Sequence, residues 1–203
     1  MGEAKIRLSE AELELVTNAG WILTKNAILQ KIKQHLAGLQ EQQLAFLSQY
    51  APRLPVVILS SSPKISKGEN YNGLPYLLLD YPRIFERENI LAIRTMFWWG
   101  QFFSTTLHLS GTYKNKAVQK IIASYEAIKQ NGFYCGINDD PWKHHFEENN
   151  YRPLDKMNPA EFEKLMTNRP FIKLAAKIPL EQWEESGEIL LGQFKQLIEL
   201  VVD

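Results

Sequence analysis

The sequence predicts an α+β domain in which an antiparallel meander of about three to five strands is covered by amphipathic helices. Two patterns support this class. Residues 90–111 read ILAIRTMFWWGQFFSTTLHLSG, and such a run with a glycine at its centre is typical of a β-hairpin. Apolar residues at helical spacing dominate residues 1–51 and return after the hairpin. We therefore expect a single domain over 1–203, with a helical N-terminal segment at 1–51 and a sheet-plus-helix body at 52–203.

The charge balance argues against nucleic acid as a partner. Lys and Arg together number 23, as do Asp and Glu, so the formal net charge is zero. A chain without net charge has no long-range field that attracts a polyanion. Nucleic-acid binding would instead need a common surface formed by lysines such as Lys64, Lys67, Lys114, Lys116 and Lys120. We do not expect nucleic acid as a partner, because the overall charge is neutral.

Cysteine usage and the N-terminus predict a cytoplasmic protein. Cys135 is the only cysteine, which rules out an intrachain disulfide and favours a reducing compartment. The start, MGEAKIRLSEAELELV, lacks a basic segment followed by an apolar run, so we expect no secretory signal. No stretch approaches the roughly 20 apolar residues that a membrane helix needs. We therefore expect no membrane partner.

The N-terminal segment is predicted to hold two helices. Ser9 and Glu12 form the pattern of a capping box, which opens the first helix. A break at 18–20 separates it from a longer helix, which Pro52 ends. The longer helix carries an apolar stripe made of Ile28, Leu29, Ile32, Leu36 and Leu39.

Residues 52–75 contain four prolines and a turn-rich run, so we expect a long ordered loop with one short strand at 56–59. The next strand is predicted at 75–81. Together with the hairpin strands at 90–99 and 102–110, it forms a meander of antiparallel neighbours.

The faces of the hairpin follow from its turn. Gly100 can adopt a positive φ, so Gly100 and Gln101 are predicted to form a two-residue type II′ turn with Trp99 opposite Phe102. One face then carries Arg94, Trp98 and Phe103. The other carries Ser104, Thr106 and His108. A slip of one residue would exchange the two faces.

The remaining elements follow from helix caps and from periodicity. They are a helix at 116–130 capped by Asn115, a short strand at 133–137, a helix at 158–166, an edge strand at 170–177 and a final helix opened by Pro179.

The segment 138–145, NDDPWKHH, contains the candidate catalytic residues Asp139, Asp140, His144 and His145. Carboxylates and imidazoles together can ligate a divalent metal or share acid–base work. Their spacing matches no metal motif, and the sequence specifies no cofactor. The alternative is that an aspartate caps a short helix begun at Pro141, while the histidines are exposed or pack on a neighbouring tryptophan.

Arg94 is a candidate ligand contact because the pattern places a guanidinium on an apolar face. Asp80, on the preceding strand, is its expected ion-pair partner. In a structural role, this pair ties the meander together. In a functional role, Arg94 grips a carboxylate or phosphate in a pocket walled by Trp98 and Phe103. His108 is a further candidate contact, although hydroxyls alternating with a histidine also fit a half-exposed sheet face.

The aromatic residues of the hairpin favour a binding or assembly function. They occupy both of its faces, so either helices cover both faces or one opens onto a pocket or a subunit interface. We expect a ligand-binding or self-assembling protein, with a small anionic or aromatic ligand and a homodimer as its partners. The alternative is a metal-dependent or acid–base hydrolase that acts on an anionic small molecule through residues 138–145 and Arg94.

Overall fold

The computed structural model describes residues 6–202 and shows one seven-stranded antiparallel sheet with α-helices. The predicted α+β class is confirmed, but three to five strands is too low. The strands are β1 Lys64–Tyr71, β2 Leu74–Phe85, β3 Ile90–Trp98, β4 Phe102–Ser110, β5 Tyr134–Gly136, β6 Tyr151–Pro153 and β7 Phe171–Pro179. Their order across the sheet is β1-β2-β3-β4-β7-β5-β6.

The described residues form seven α-helices. They are α1 Glu10–Thr17, α2 Ala19–Gln49, α3 Val56–Leu59, α4 Gly111–Ala123, α5 Tyr125–Gln130, α6 Pro159–Asn168 and α7 Ser186–Glu199. The predicted capping box at Ser9 and Glu12 is present, and Asn18 separates α1 from α2. The predicted stripe of α2 is buried from Leu29 onwards.

Residues 56–71 differ from the prediction of a short strand inside a long loop. Residues 56–59 form α3, which follows Pro55, and its Ile58 is fully buried. Residues 64–71 form β1, which pairs with β2 along the edge of the sheet. Because both faces of this edge strand are largely polar, its side chains carry no apolar alternation that would reveal a strand.

The hairpin turn is one residue longer than predicted. Trp98 pairs with Phe102, so the loop consists of residues 99–101, with Gly100 at φ +68° and Gln101 N–H bonded to the carbonyl of Trp98. Three-residue loops with a left-handed glycine are common in hairpins. The observed register aligns Phe97 with Phe103, which concentrates apolar side chains on the helix-covered face.

This register corrects the predicted faces. Arg94, Trp98 and His108 lie on one face, whereas Phe103 lies on the other. Phe103 is fully buried in the main core beneath the helices, with side chains that include Leu36, Ile93, Leu107 and Phe194. The face of Arg94 is covered instead by the segment 137–150, whose Phe146 packs on Phe102. Each aromatic face of the hairpin is therefore covered within the chain.

Two of the later elements also depart from expectation. The helix expected at 116–130 begins at Gly111 and is interrupted at Ser124, so Asn115 is not its cap. The strand expected at the edge, β7, lies inside the sheet because β5 pairs with its outer side. The expected helix at 158–166 is confirmed with Asn158 as its cap, and the final helix, α7, begins after a short 3-10 turn.

Candidate functional site

Polar side chains from four neighbouring strands line up on the sheet face that the helices leave free. Asp80 on β2 pairs with Arg94 on β3, and Arg94 pairs in turn with Thr106 on β4. His108 on β4 pairs with Lys173 on β7. All five residues lie on one side of the sheet, because partners in register and residues two apart share a face.

Asp80 and Arg94 form the ion pair that the sequence predicts. Arg94 Nε lies 2.7 Å from Asp80 Oδ1, and Nη2 lies 2.9 Å from Oδ2. The side chains are only 8% and 18% exposed, respectively. A bidentate pair of this kind satisfies both carboxylate oxygens and neutralises both charges.

The remaining guanidinium nitrogen of Arg94 contacts the loop above the sheet. Its Nη1 lies 3.0 Å from Nε2 of His144. A guanidinium can only donate, so Nε2 must accept and the ring proton must reside on Nδ1. Burial, followed by the positive charges of Lys173 and Arg94, holds the pKa of His144 well below its usual value. His144 is therefore neutral, with a buried Nδ1–H that has no hydrogen-bond partner among the described residues.

Tyr71, at the end of β1, anchors the same loop. Its hydroxyl accepts hydrogen bonds from the backbone N–H groups of His144, at 2.6 Å, and His145, at 3.1 Å. The hydroxyl proton is then directed at Nδ1 of His145, 3.1 Å away, so Nε2 of that ring donates to Asn149. The adjacent histidines consequently point to different partners, and only His144 reaches Arg94.

The two candidate carboxylates lie outside this arrangement. Asp139 is fully exposed and pairs with Arg169 at 2.9 Å. Asp140 accepts a hydrogen bond from the backbone N–H of Trp142, and the segment forms turns instead of the short helix considered for it. Within residues 6–202, no cluster of three or more His, Cys, Asp or Glu residues could hold a metal ion.

Lys173 is the functional candidate that the sequence analysis missed. Its side chain is buried, and its ammonium group donates to the carbonyl of Lys143 in the loop. Gly136 on β5 makes room beside it, since an added Cβ there would lie 2.8 Å from the Cβ of Lys173. Burial, and next the charge of Arg94, lowers the pKa of Lys173 to about 7, although Asp140 acts in the opposite direction.

The strand FIKLAAKIP contains two lysines, Lys173 and Lys177, in an otherwise apolar run. In the edge strand that we expected, both would extend into solvent. In the structure Lys177 is exposed, whereas Lys173 is buried beneath the loop, so the sequence pattern alone does not distinguish the two lysines.

His108 lies beside Lys173 and is also neutral. Burial and the nearby charges of Lys173 and Arg94 lower its pKa to about 4. Its ring packs edge-on against Trp142 and Phe171, at 5.4 and 5.7 Å between centroids. Its Nε2 is buried and has no hydrogen-bond partner in the described part of the chain.

These groups surround a small cavity between the sheet and the loop. Its volume is about 10 Å³, which is enough for one water-sized group. The lining residues are Phe85, Ala92, Arg94, Thr106, His108, Trp142, His144 and Lys173. Trp142 is 49% exposed and packs on Phe85 at 5.9 Å, so its ring separates the cavity from solvent.

The structure thus brings together only some of the predicted site residues. Arg94, His108 and His144 line the cavity, with Asp80 directly behind Arg94. Trp98 lies in an adjoining aromatic cluster, where its ring contacts Tyr71 at 5.0 Å. The other predicted site residues lie outside the cavity. Phe103 lies on the opposite face of the sheet, Asp139 and Asp140 are exposed on the surface, and His145 is hydrogen-bonded to Asn149.

Larger grooves exist elsewhere on the molecule. One of about 510 Å³ lies between α2 and β1, and one of about 370 Å³ lies between α4 and the C-terminal residues. Neither is lined by a buried cluster of charged groups. The small cavity is therefore the better candidate site, because perturbed pKa values accumulate there.

No protein family matches the chain, and no curated protein matches it either. None of the helices in the described part of the chain combines the length and the hydropathy that a membrane crossing requires.

Proposed function

We propose that the protein binds a small anion, such as a carboxylate or phosphate group, in the cavity between Arg94, His144 and Lys173. The observation that carries this proposal is an imbalance of charge. Arg94 and Lys173 are both enclosed, and Asp80 is the nearby carboxylate of the sheet. Both oxygens of Asp80 already accept hydrogen bonds from Arg94, so this carboxylate pairs with Arg94 and not with Lys173. Within residues 6–202, the ammonium group of Lys173 has a backbone carbonyl, that of Lys143, as its only hydrogen-bond acceptor.

A buried ammonium group without a carboxylate favours either loss of its proton or recruitment of an anion. Burial and the charge of Arg94 lower the pKa of Lys173 to about 7, which favours loss of the proton when no anion is bound. An anion within reach of Lys173 would provide the second solution and would raise this pKa again. Binding is therefore linked to proton uptake, and the affinity is expected to fall as the pH rises above about 7.

The cavity also offers neutral donors to an anion. The inferred tautomer of His144 places a buried N–H at Nδ1, which has no partner among the described residues. Thr106 lines the same space. One ammonium group with additional N–H and O–H donors is a suitable set for the oxygens of a carboxylate or phosphate.

Entry of the ligand requires Trp142 to move, because the closed cavity admits only a water-sized group. The loop itself is held by Tyr71 and by Asn150, whose side chain donates to the carbonyl of His145. The half-exposed ring of Trp142 is held by ring contacts with Phe85 and His108. We therefore propose that the side chain of Trp142 swings aside while the loop stays in place.

Calorimetric titration with inorganic phosphate and with acetate tests this proposal. We expect Lys173→Met to weaken binding of the responsive anion by about tenfold or more, since one charge-assisted contact is lost. Lys177→Met is the matched control. Lys177 lies on the same face of β7 four residues further on, but it is exposed, so its replacement should change the affinity by less than about twofold.

The proposal fails if neither anion binds to the unsubstituted protein at about 10 mM. It also fails if Lys173→Met and Lys177→Met bind equally well. Sodium chloride at matched ionic strength separates specific binding from general screening.

A second candidate function is hydrolysis of a bound phosphate ester, and the observation that favours it is the position of His144 on the cavity wall. Because Nε2 of His144 already accepts from Arg94, its role would be to donate a hydrogen bond to the ester from Nδ1. Hydrolysis of p-nitrophenyl phosphate, an anionic ester, provides the test. We expect turnover by the unsubstituted protein and its loss in His144→Gln. No turnover by the unsubstituted protein would reject this candidate.

We also propose that residues 1–203 act as one domain in a reducing compartment such as the cytoplasm. The seven strands belong to a single sheet, which supports one domain. Cys135 is a free, fully buried cysteine, and burial raises the pKa of its thiol to about 12. A thiol in this state is unreactive and suits a structural role in the core.

A further inference from the structure

The beginning of the described chain carries an unusual concentration of exposed apolar side chains. We call residues 6–28 the N-terminal arm. It comprises α1, which has no buried residue, and the first turns of α2. Nine of the fourteen large apolar side chains that are exposed among residues 6–202 belong to this arm. They are Ile6, Leu8, Leu13, Leu15, Val16, Trp21, Ile22, Leu23 and Ile28.

The apolar stripe of α2 continues into the arm. Ile22, Leu29 and Leu36 follow one another at intervals of seven residues, so they lie on nearly the same side of the helix. Leu29 and Leu36 are buried in the core, whereas Ile22 is 46% exposed. The helix therefore extends beyond the body that covers its stripe, and the stripe itself does not end there.

We propose that the N-terminal arm binds the arm of a second copy of this chain, with α1 of each copy against α2 of the other. The homodimer expected from the sequence would then form through this arm, because both faces of the aromatic hairpin are covered within the chain. The exposed apolar area of the arm and the charges of its helices both favour a second copy of the chain as the binding partner.

The exposed apolar surface of the arm is sufficient for a stable dimer. If each of its nine exposed apolar side chains contributes roughly 100 Å², the arm offers on the order of 900 Å². A standard protein–protein interface buries about 800 Å² on each partner. Single exposed apolar residues are ordinary on a protein surface, but nine of them within 23 consecutive residues are a concentration typical of an interaction surface.

The charges of the two helices are complementary. The eight residues of α1 include Glu10, Glu12 and Glu14 and no basic residue. Over residues 19–40, α2 carries Lys25, Lys31 and Lys33 and no acidic residue, and of these Lys25 already pairs with Glu69 of β1 at 3.0 Å. Lys31 and Lys33, which directly follow the arm on α2, are therefore the basic residues available to a partner. A reciprocal dimer in which α1 of each copy lies along α2 of the other, as far as Lys31 and Lys33, places an acidic helix against a basic one twice.

The acidic character of α1 disfavours an anionic lipid surface as the occupant. Helices that lie on such surfaces are rich in Lys and Arg on their polar face. In the arm, the three glutamates of α1 lie next to the exposed Leu13, Leu15 and Val16. They would be repelled by acidic headgroups, whereas a basic helix would attract them.

Sedimentation velocity of the full chain over about 1–100 µM tests the association directly. We expect a monomer–dimer equilibrium in this range. Leu13→Glu combined with Leu23→Glu should weaken it by about a hundredfold, because each change places a charge in an apolar contact. Both side chains are exposed within the chain, so the substitutions should not affect folding. The control is Val56→Glu, at a position that is 79% exposed but lies outside the arm, and the dimer should persist.

A charge-reversal pair tests the orientation. One variant combines Glu10→Lys with Glu14→Lys, and the other combines Lys31→Glu with Lys33→Glu. Glu12 is left unchanged because its side chain completes the cap at Ser9. Each variant alone should dissociate, because like charges then meet at both contacts. An equimolar mixture should restore the dimer, because complementary charges meet again at both contacts.

Three outcomes would overturn the proposal. The first is a monomer at all concentrations. The second is a dimer that the Leu13 and Leu23 substitutions leave intact. The third is a monomer that instead sediments with vesicles of mixed zwitterionic and anionic lipid, which would identify a membrane surface as the occupant of the arm.

Discussion

Arg94 and His144 are joined by a hydrogen bond of 3.0 Å between Nη1 and Nε2, which ties the centre of the sheet to the loop above it. The same guanidinium is held from the other side by Asp80. One arginine thus satisfies a buried carboxylate and also determines the tautomer of a buried imidazole. The candidate site depends on this relationship, since it orients the free N–H of His144.

Replacing Tyr71 should loosen the loop. Tyr71→Phe removes the hydroxyl that accepts hydrogen bonds from the backbone N–H groups of His144 and His145. Donors left without a partner cost about 1–3 kcal/mol in the free energy of unfolding. Urea denaturation measures this loss. The control is Tyr76→Phe on the same face, whose hydroxyl lies over Gly68, and we expect a change within about 0.5 kcal/mol. Equal effects of the two substitutions would contradict the anchoring role of Tyr71.

The buried Lys173 should make stability depend on alkaline pH. Its pKa is 10.5 in solvent and about 7 in the folded state, so the folded state loses its proton first as the pH rises. Between these two values the unfolded state binds more protons, and the free energy of unfolding should rise by up to about 1.4 kcal/mol per pH unit. Below about pH 7 this group causes no further change. Urea denaturation at pH 7.5, 8.5 and 9.5 should show that Lys173→Met removes this rise and that Lys177→Met retains it.

His108 should contribute to the loss of stability in acid. Its pKa falls from 6.5 in solvent to about 4 in the folded state, so the unfolded state binds the proton first as the pH falls. Stability from this group is complete above about pH 6.5 and is lost as the pH approaches 4, at up to about 1.4 kcal/mol per pH unit. His108→Phe should decrease the slope between pH 6 and 4.5 by about this amount, as measured by denaturation at each pH. Parallel curves for the two proteins would show that His108 is solvated or charged in the folded state.

The Asp80–Arg94 pair should be far more sensitive to the loss of one partner than an exposed pair. Asp80→Asn leaves a largely buried guanidinium without its carboxylate, and we expect a cost of about 3–5 kcal/mol in the free energy of unfolding. Asp139→Asn breaks the pair with Arg169, in which the carboxylate is fully exposed, so we expect less than about 1 kcal/mol. Thermal and urea denaturation would measure both effects. A cost for Asp80→Asn as small as that for Asp139→Asn would mean that water solvates Arg94 in the folded protein.

Local patterns were sufficient to predict several elements and one contact of the site. The capping box at Ser9 and the cap at Asn158 each join residues three apart, so the sequence contains all of their geometry. The stripe of α2 is likewise a local periodicity. The proximity of Asp80 and Arg94 could be predicted because they lie on consecutive strands and each needs an opposite charge when buried.

The rest of the site depends on contacts that are distant in sequence. A three-residue turn instead of a two-residue turn moved Phe103 to the opposite face, because a slip of one residue reverses every side chain of a strand. Tyr71 and His145 meet across 74 residues, so no periodicity could indicate their contact.

The sequence by itself determined the α+β class, the cap of the first helix and the need of Arg94 for a carboxylate, since short-range geometry and charge decide these features. Only the tertiary structure decided that Lys173 is buried, because its burial requires β5 to pair with β7 from outside and residues 137–150 to close over the face. It also decided that α1 buries none of its residues against the described part of the chain, because the apolar side chains of a helix have the same pattern in sequence whether its own domain or a second chain covers them.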